Sequence, residues 1–297
     1  MRTTTVFMFP GQGAQYEGMG AELYDKYPEC IDMANQILGY DVRKLTSGEL
    51  EKSLHFTRYT QPALFVVNSL YYRDIVNEMG VPDIVLGHSL GEYNALLAAN
   101  VIDFKNGLML VKRRAELMSG APGGGMSVVM QLDIDTILNI INVDRKQGTV
   151  GIANINSEMQ IVLSGDVAVL AKLKTKLEDS GAIVMELQVS GAFHSTYMEP
   201  VAQEYNKHVK KTDFKNQNIP VISNVTAEPY LDADISEVLI RQLYSTVNWS
   251  GSIKYLLDKY EKIDFIEVGP GRVLSGLLRY IKKEWKSRAV TDGIGVG

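Results

Sequence analysis

Val85-Leu86-Gly87-His88-Ser89-Leu90-Gly91-Glu92 is the stretch from which the rest of the chain can be read. An apolar run leads into Gly-x-Ser-x-Gly, and Glu92-Tyr93-Asn94-Ala95 then opens an amphipathic helix. Strand, tight turn and helix in that order form the setting of a nucleophile elbow. Gly87 and Gly91 leave room for a sharp turn and for close approach of strand and helix. The turn lifts the Ser89 hydroxyl toward the unpaired N–H groups of the first helical turn. The plainer alternative is a Gly-rich connection with a serine cap. The strand before the pentapeptide and the helix after it favour the nucleophile.

The chain has 297 residues, 45% of them hydrophobic, enough for a substantial core in one large domain or one large and one small. A formal net charge of -5 argues against general affinity for nucleic acid. The basic runs Lys207 to Lys211 and Lys282 to Lys286 are solvated faces or patches for an acidic protein partner. A single cysteine, Cys30, excludes an internal disulfide framework and suits the cytoplasm. Val6-Phe7-Met8-Phe9 is too short for a leader or a membrane span and reads as a first buried strand.

Taken in order, the chain predicts an α/β fold. Pro10-Gly11-Gln12-Gly13 follows the first strand at its C-terminal end, where open α/β sheets place ligands. A helix is expected over Met19 to Asn35, and another from Phe56-Thr57-Arg58-Tyr59-Thr60-Gln61-Pro62 to Met79, with Thr60 or Gln61 as its cap and Pro62 in its first turn. Gln61 then points toward the same cleft as Gln12. The elbow helix and a further helix, Phe104 to Ser119, follow. Pro122-Gly123-Gly124-Gly125 marks a hinge or domain boundary. Residues 126–188 read β-α-β-β-α-β, the split order of a ferredoxin-like small domain. The larger domain is therefore discontinuous, residues 1–125 and 189–297, with strands at Ile219 to Val225 and Ile263 to Val268 and a last helix from Leu274 to Lys286. The final residues, from Thr291, are expected to fray.

A serine nucleophile requires a base. Of four histidines, His55 lies in an irregular segment, His208 among lysines, and His88 beside Ser89, where its side chain must diverge. His194, in Gly191-Ala192-Phe193-His194-Ser195, arrives where the chain re-enters the large domain, and is the expected base. The acids between Ser89 and His194, at Asp133, Asp135 and Asp166, suit turns and caps. A Ser–His dyad oriented by a backbone carbonyl or an amide is more economical, with Asn248 or its backbone as the candidate. Arg114 is one turn from Val111, pointing either into the cleft or to solvent, and periodicity does not decide between them.

The set Pro10-Gly11-Gln12-Gly13, Gly87-His88-Ser89-Leu90-Gly91-Glu92, Gly191-Ala192-Phe193-His194-Ser195 and Val268-Gly269-Pro270-Gly271 resembles the malonyl-CoA:acyl-carrier-protein transacylases over nearly the whole chain. Phe56 to Asn68 and Pro220 to Ala227 look most like the discrete acyltransferases that serve polyketide synthases in trans. The resemblance implies an α/β-hydrolase-like large domain with an inserted ferredoxin-like small domain. It makes Ser89 the nucleophile and His194 the base, with Gln12 and the Leu90 N–H as the oxyanion hole. Arg114 becomes the holder of the malonyl carboxylate. Phe193 resembles the malonyl-selective form of its motif. Asn248 falls where the family has a glutamine whose carbonyl orients the histidine, and Ala115 replaces a common glycine.

The expected reaction is ping-pong transfer of malonyl from malonyl-CoA to the phosphopantetheine of an acyl carrier protein, by a monomer without metal or bound cofactor. The rival readings are a thioester hydrolase, a carrier-protein binding module and a fatty-acid-pathway transacylase.

Overall fold

Thr4–Phe9 (β1) and Ile84–Gly87 (β2) lie side by side and parallel, and Val6 to Phe9 and all of β2 are buried. Both faces of this pair are covered, which is why neither run alternates. Phe7, Phe9 and Val85 enter one core, while Val6, Met8, Ile84 and Leu86 enter another on the opposite face. The period of two in a strand produces that division. The computed structural model describes residues 2–51, 53–121, 123–143 and 149–291.

Pro28–Leu38 (α1), Val42–Thr46 (α2) and Thr57–Met79 (α3) separate β1 from β2. Gly91–Ala98 (α4) and Phe104–Ser119 (α5) follow β2. The helix expected over Met19 to Asn35 is instead a 3-10 turn at Ala21–Leu23 and then α1, because Pro28 sits at a helix start, where its missing N–H costs nothing. α3 begins at Thr57, so Pro62 lies inside it and neither Thr60 nor Gln61 is its cap. Both side chains are buried, and Thr60 Oγ1 donates to the Phe56 carbonyl at 3.0 Å within the first turn.

Gly125–Met130 (β3), Ile134–Val143 (α6), Val150–Ser157 (β4), Gln160–Gly165 (β5), Val167–Asp179 (α7) and Ile183–Glu186 (β6) form a second, antiparallel sheet ordered β4-β5-β3-β6. One face packs on α6 and α7 through Val129, Ile161, Ile137 and Leu173. From the other, Met126, Val128 and Val162 join the Phe7 and Phe9 core. Gly124, at φ 84, stands at the entry to this unit, where an added Cβ would meet the Ala192 Cβ at 2.6 Å. The chain's way in and its way out therefore touch. Pro122 of the expected hinge, and residues 292–297 of the expected fray, lie outside the described residues.

Glu199–Val209 (α8), Val221–Ile222 (β7), Ile235–Arg241 (α9), Trp249–Lys259 (α10), Ile263–Glu267 (β8) and Val273–Thr291 (α11) complete the chain. The first sheet is ordered β7-β2-β1-β8 and is wholly parallel. β7 is shorter than the expected Ile219 to Val225 strand, since Ser223 and Asn224 turn away to bond other segments. Val247 ties the two sheets, donating to the Ala153 carbonyl at 2.8 Å and accepting from the Ile155 N–H at 3.0 Å. Among the described residues no helix is long and apolar enough to cross a membrane.

Candidate active site

The elbow is built from absent side chains. A Cβ on Gly87 would lie 2.0 Å from the Gly91 carbonyl carbon, and one on Gly91 would lie 2.0 Å from the Phe9 carbonyl oxygen. Strand, turn and helix therefore meet backbone to backbone, and Ser89 takes a left-handed φ of 50. A positive φ at a non-glycine residue is strained and persists only where the surroundings hold it. Here Asn224 holds it. Its Oδ1 accepts from the Ser89 N–H at 2.7 Å, and its Nδ2 donates to the Gly87 carbonyl at 2.6 Å.

His194 also has a positive φ, 57, and its N–H donates to the Leu243 carbonyl at 3.1 Å. Its Nδ1 faces the Gln242 carbonyl at 2.8 Å, and its Nε2 stands 2.8 Å from Ser89 Oγ. A carbonyl only accepts, so Nδ1 carries the proton and Nε2 is free to receive one from the serine. Burial first, and then the Arg114 charge, lowers the imidazole from its ordinary 6.5 to about 3. The ring is neutral, the state a general base requires.

The carbonyl that faces His194 Nδ1 is that of Gln242 rather than Asn248. Asn248 caps α10, its Oδ1 accepting from the Gly251 N–H at 3.0 Å and its carbonyl from the Ser252 N–H at 3.0 Å. A polar residue before Trp249 served the local helix, and the contact to the histidine came from the end of α9. Asp133 and Asp166 likewise accept from nearby N–H groups at the starts of α6 and α7.

Arg114 is fully buried, which settles the direction periodicity left open. Its Nη1 donates to Gln61 Oε1 at 2.7 Å, and its Nη2 to Gln242 Oε1 at 3.0 Å and to Ser89 Oγ at 3.1 Å. Tyr93 offers its ring face 5.6 Å from the guanidinium carbon. Among the described residues, all three hydrogen-bond acceptors of Arg114 are neutral and Arg114 Nε is buried with no partner. Such a guanidinium, always charged and in contact with Ser89 Oγ, suits a bound carboxylate.

Gly11 lies against the elbow, where an added Cβ would be 2.3 Å from the His88 carbonyl oxygen and 3.6 Å from the Leu90 nitrogen. This packs the Gly11 backbone against the turn from His88 to Leu90. The Gln12 side chain turns aside, its Nε2 donating to Thr57 Oγ1 at 3.1 Å. Phe193 is buried directly before His194. His88 braces the turn, with Nε2 2.9 Å from Asn156 Oδ1 and its ring 5.6 Å from that of Trp249. Asn224 and Gln242 were missed as site residues. Asn224 had a positional signal, a polar turn after a strand's C-terminal end, and Gln242 had none.

Residues 6–290 match the family described as Acyl transferase domain, and the chain belongs to it. The polyketide biosynthesis malonyl CoA-acyl carrier protein transacylase BaeC of Bacillus velezensis is 44% identical over 281 residues, 94% of this chain and 96% of the relative. The polyketide biosynthesis protein PksE of Bacillus subtilis is 43% identical over 281 residues, 94% of this chain but 36% of that longer protein. A solved complex of a type II PKS acyl-carrier protein with its malonyl-transacylase superposes with a TM-score of 0.89 at 32% identity, covering 95% of this chain and 94% of that one.

Proposed function

We propose that the chain transfers a malonyl group from malonyl-CoA to the phosphopantetheine thiol of an acyl carrier protein, serving a polyketide synthase in trans. The observation that carries this reading is Arg114 Nη2 at 3.1 Å from Ser89 Oγ, itself 2.8 Å from His194 Nε2. One small acyl group with a terminal carboxylate spans those positions. The names of the polyketide relatives support the pathway, and the solved complex supports the class of partner.

His194 takes the Ser89 proton as Oγ attacks the thioester carbonyl. The N–H groups of Gln12 and Leu90 hold the oxyanion, each such donor supplying about 3 kcal/mol of transition-state stabilisation. The substrate carboxylate replaces neutral acceptors on Arg114 and offsets the guanidinium charge that depresses His194, strengthening the base as it binds. Coenzyme A leaves with the proton, and malonyl remains as an ester on Ser89. The carrier thiol then gives its proton to His194 and attacks the ester, restoring the serine. Nucleophile, proton relay and oxyanion donors all come from this chain, and the reading includes no resident cofactor. The strand orders fit an α/β-hydrolase-like large domain, residues 1–125 and 189–297, with residues 126–188 as an inserted ferredoxin-like domain.

Intact mass after brief exposure to malonyl-CoA or acetyl-CoA tests the reading. A malonyl adduct is expected on the native chain and none on Ser89→Ala, with acetyl-CoA leaving little adduct. Equal adducts from both donors would remove Arg114 from its role and favour a hydrolase. No adduct from either would end the transferase assignment.

A further inference from the structure

Glu92 is fully buried in the first turn of α4 and takes no part in the steps above. Its Oε1 accepts from the Asn224 N–H at 2.8 Å and from the Tyr230 hydroxyl at 2.9 Å, and its Oε2 accepts from the Gln242 side-chain amide. Both Asn224 and Gln242 reach the dyad. Asn224 holds the Ser89 N–H and the Gly87 carbonyl. Gln242 holds His194 Nδ1 with its carbonyl and donates from its side chain to the Ser89 carbonyl at 2.8 Å. One carboxylate thus joins the support of the serine to the support of the histidine.

We propose that Glu92 is a positioning residue, which sets the approach of Ser89 to His194 by holding Asn224 and Gln242 in one frame, and that it does so only as the carboxylate. The inference deepens the acyl-transfer reading and rests on it. The donor pattern supplies the reason. A backbone N–H can only donate. The Gln242 amide is turned by Arg114, which donates to its Oε1 and so leaves the NH2 facing Glu92. A neutral amide at position 92 therefore sets donor against donor, at Gln242 or at the Asn224 N–H, whichever way it is rotated.

The charged and titratable groups around Glu92 are Arg114 from α5, Tyr93 from α4 and Tyr230 from the segment before α9. Arg114 is always charged. Burial pushes Tyr93 up to about 12 and Tyr230 well above its ordinary value, so both keep their protons. Burial lowers His88, as it does His194. Glu92 is pushed up to about 7 by burial, against the opposing pull of its donors and Arg114. Of these groups, it is the one that changes charge near neutral pH.

The test labels Ser89 with a small neutral fluorophosphonate and follows the adduct by intact mass. The probe reads dyad alignment without a malonyl donor, so it answers even if the chain proves not to be a malonyl transferase. Glu92→Gln is expected to label about 10- to 100-fold more slowly than the native chain, the scale of a small misplacement of reacting groups. Native labelling should fall as the pH drops through about 7, while the variant stays slow and flat across that range. In malonyl transfer, kcat should fall while KM for malonyl-CoA changes by less than about twofold. Tyr230→Phe keeps the carboxylate and removes one donor, and should label about fivefold more slowly. Should Glu92→Gln fail to fold, Tyr230→Phe decides. Native-like labelling by either folded variant, or an unchanged acid limb in Glu92→Gln, overturns the proposal.

Discussion

At Gly91 a single added carbon would have to occupy space 2.0 Å from the Phe9 carbonyl oxygen, and that oxygen cannot retreat because it accepts from the His88 N–H at 3.0 Å. Gly91→Ala is expected to cost about 3 kcal/mol, the upper range for overpacking, and to abolish serine labelling with it. Gly276, inside α11, has nothing among the described residues within 4 Å of where its Cβ would stand. Gly276→Ala should instead stabilise by up to about 1 kcal/mol through helix propensity. Urea midpoints of the two variants read both values, and a neutral Gly91→Ala would contradict the elbow as described.

At the scale of elements, the contrast between Asn248 and Gln242 separates helix capping from contact with His194. Asn248 satisfies the Gly251 N–H at the start of α10 and has no bond to His194. Asn248→Ala should therefore cost about 1 kcal/mol of stability, as a lost N-cap does, while malonyl-serine formation proceeds at the native rate. A large fall in rate with an unchanged urea midpoint would return the orienting role to Asn248. The same scale explains α3. Its buried Gln61 is not an N-cap but an interior residue, which lets it meet Arg114 from the neighbouring α5.

Across the whole molecule, the dyad closes where the two sheets meet. Ser89 and His194 are 105 positions apart, and Val247 and the His88–Asn156 contact stitch the sheets beside them. Burial at that junction gives stability a pH dependence. His194 falls from 6.5 to about 3 on folding, so its contribution is complete above pH 6.5 and is lost as pH falls toward 3. Glu92, raised from 4.5 to about 7, acts oppositely, contributing below 4.5 and losing that contribution as pH rises through 7. His194→Asn removes the first effect and leaves the second. Its urea midpoint should fall less than the native one between about pH 7 and pH 5. An equal fall in both would mean that His194 is not held neutral by the fold.

The strand–turn–helix at Ser89, the β-α-β-β-α-β order and the pairing of His194 with Ser89 were legible in the sequence because each rests on local chemistry. Glycines mark close approach, strand periodicity marks a sheet face, and a histidine beside small residues marks a junction. Asn224, Gln242 and Glu92 were not legible. Glu92 bonds across 132 positions to Asn224, and Gln242 across 153 to the Ser89 carbonyl, and nothing within either segment records the other. Arg114 stood between the two cases, its residue type plain and its direction open until α3 and α5 packed. The sequence by itself determined the kind of fold and singled out Ser89 and His194, which the fold brings to 2.8 Å, as the proposed nucleophile and base. Only the tertiary structure decided what holds them, because a buried polar group takes its partners from whichever donors and acceptors the packing brings within 3 Å or so, however distant they are along the chain.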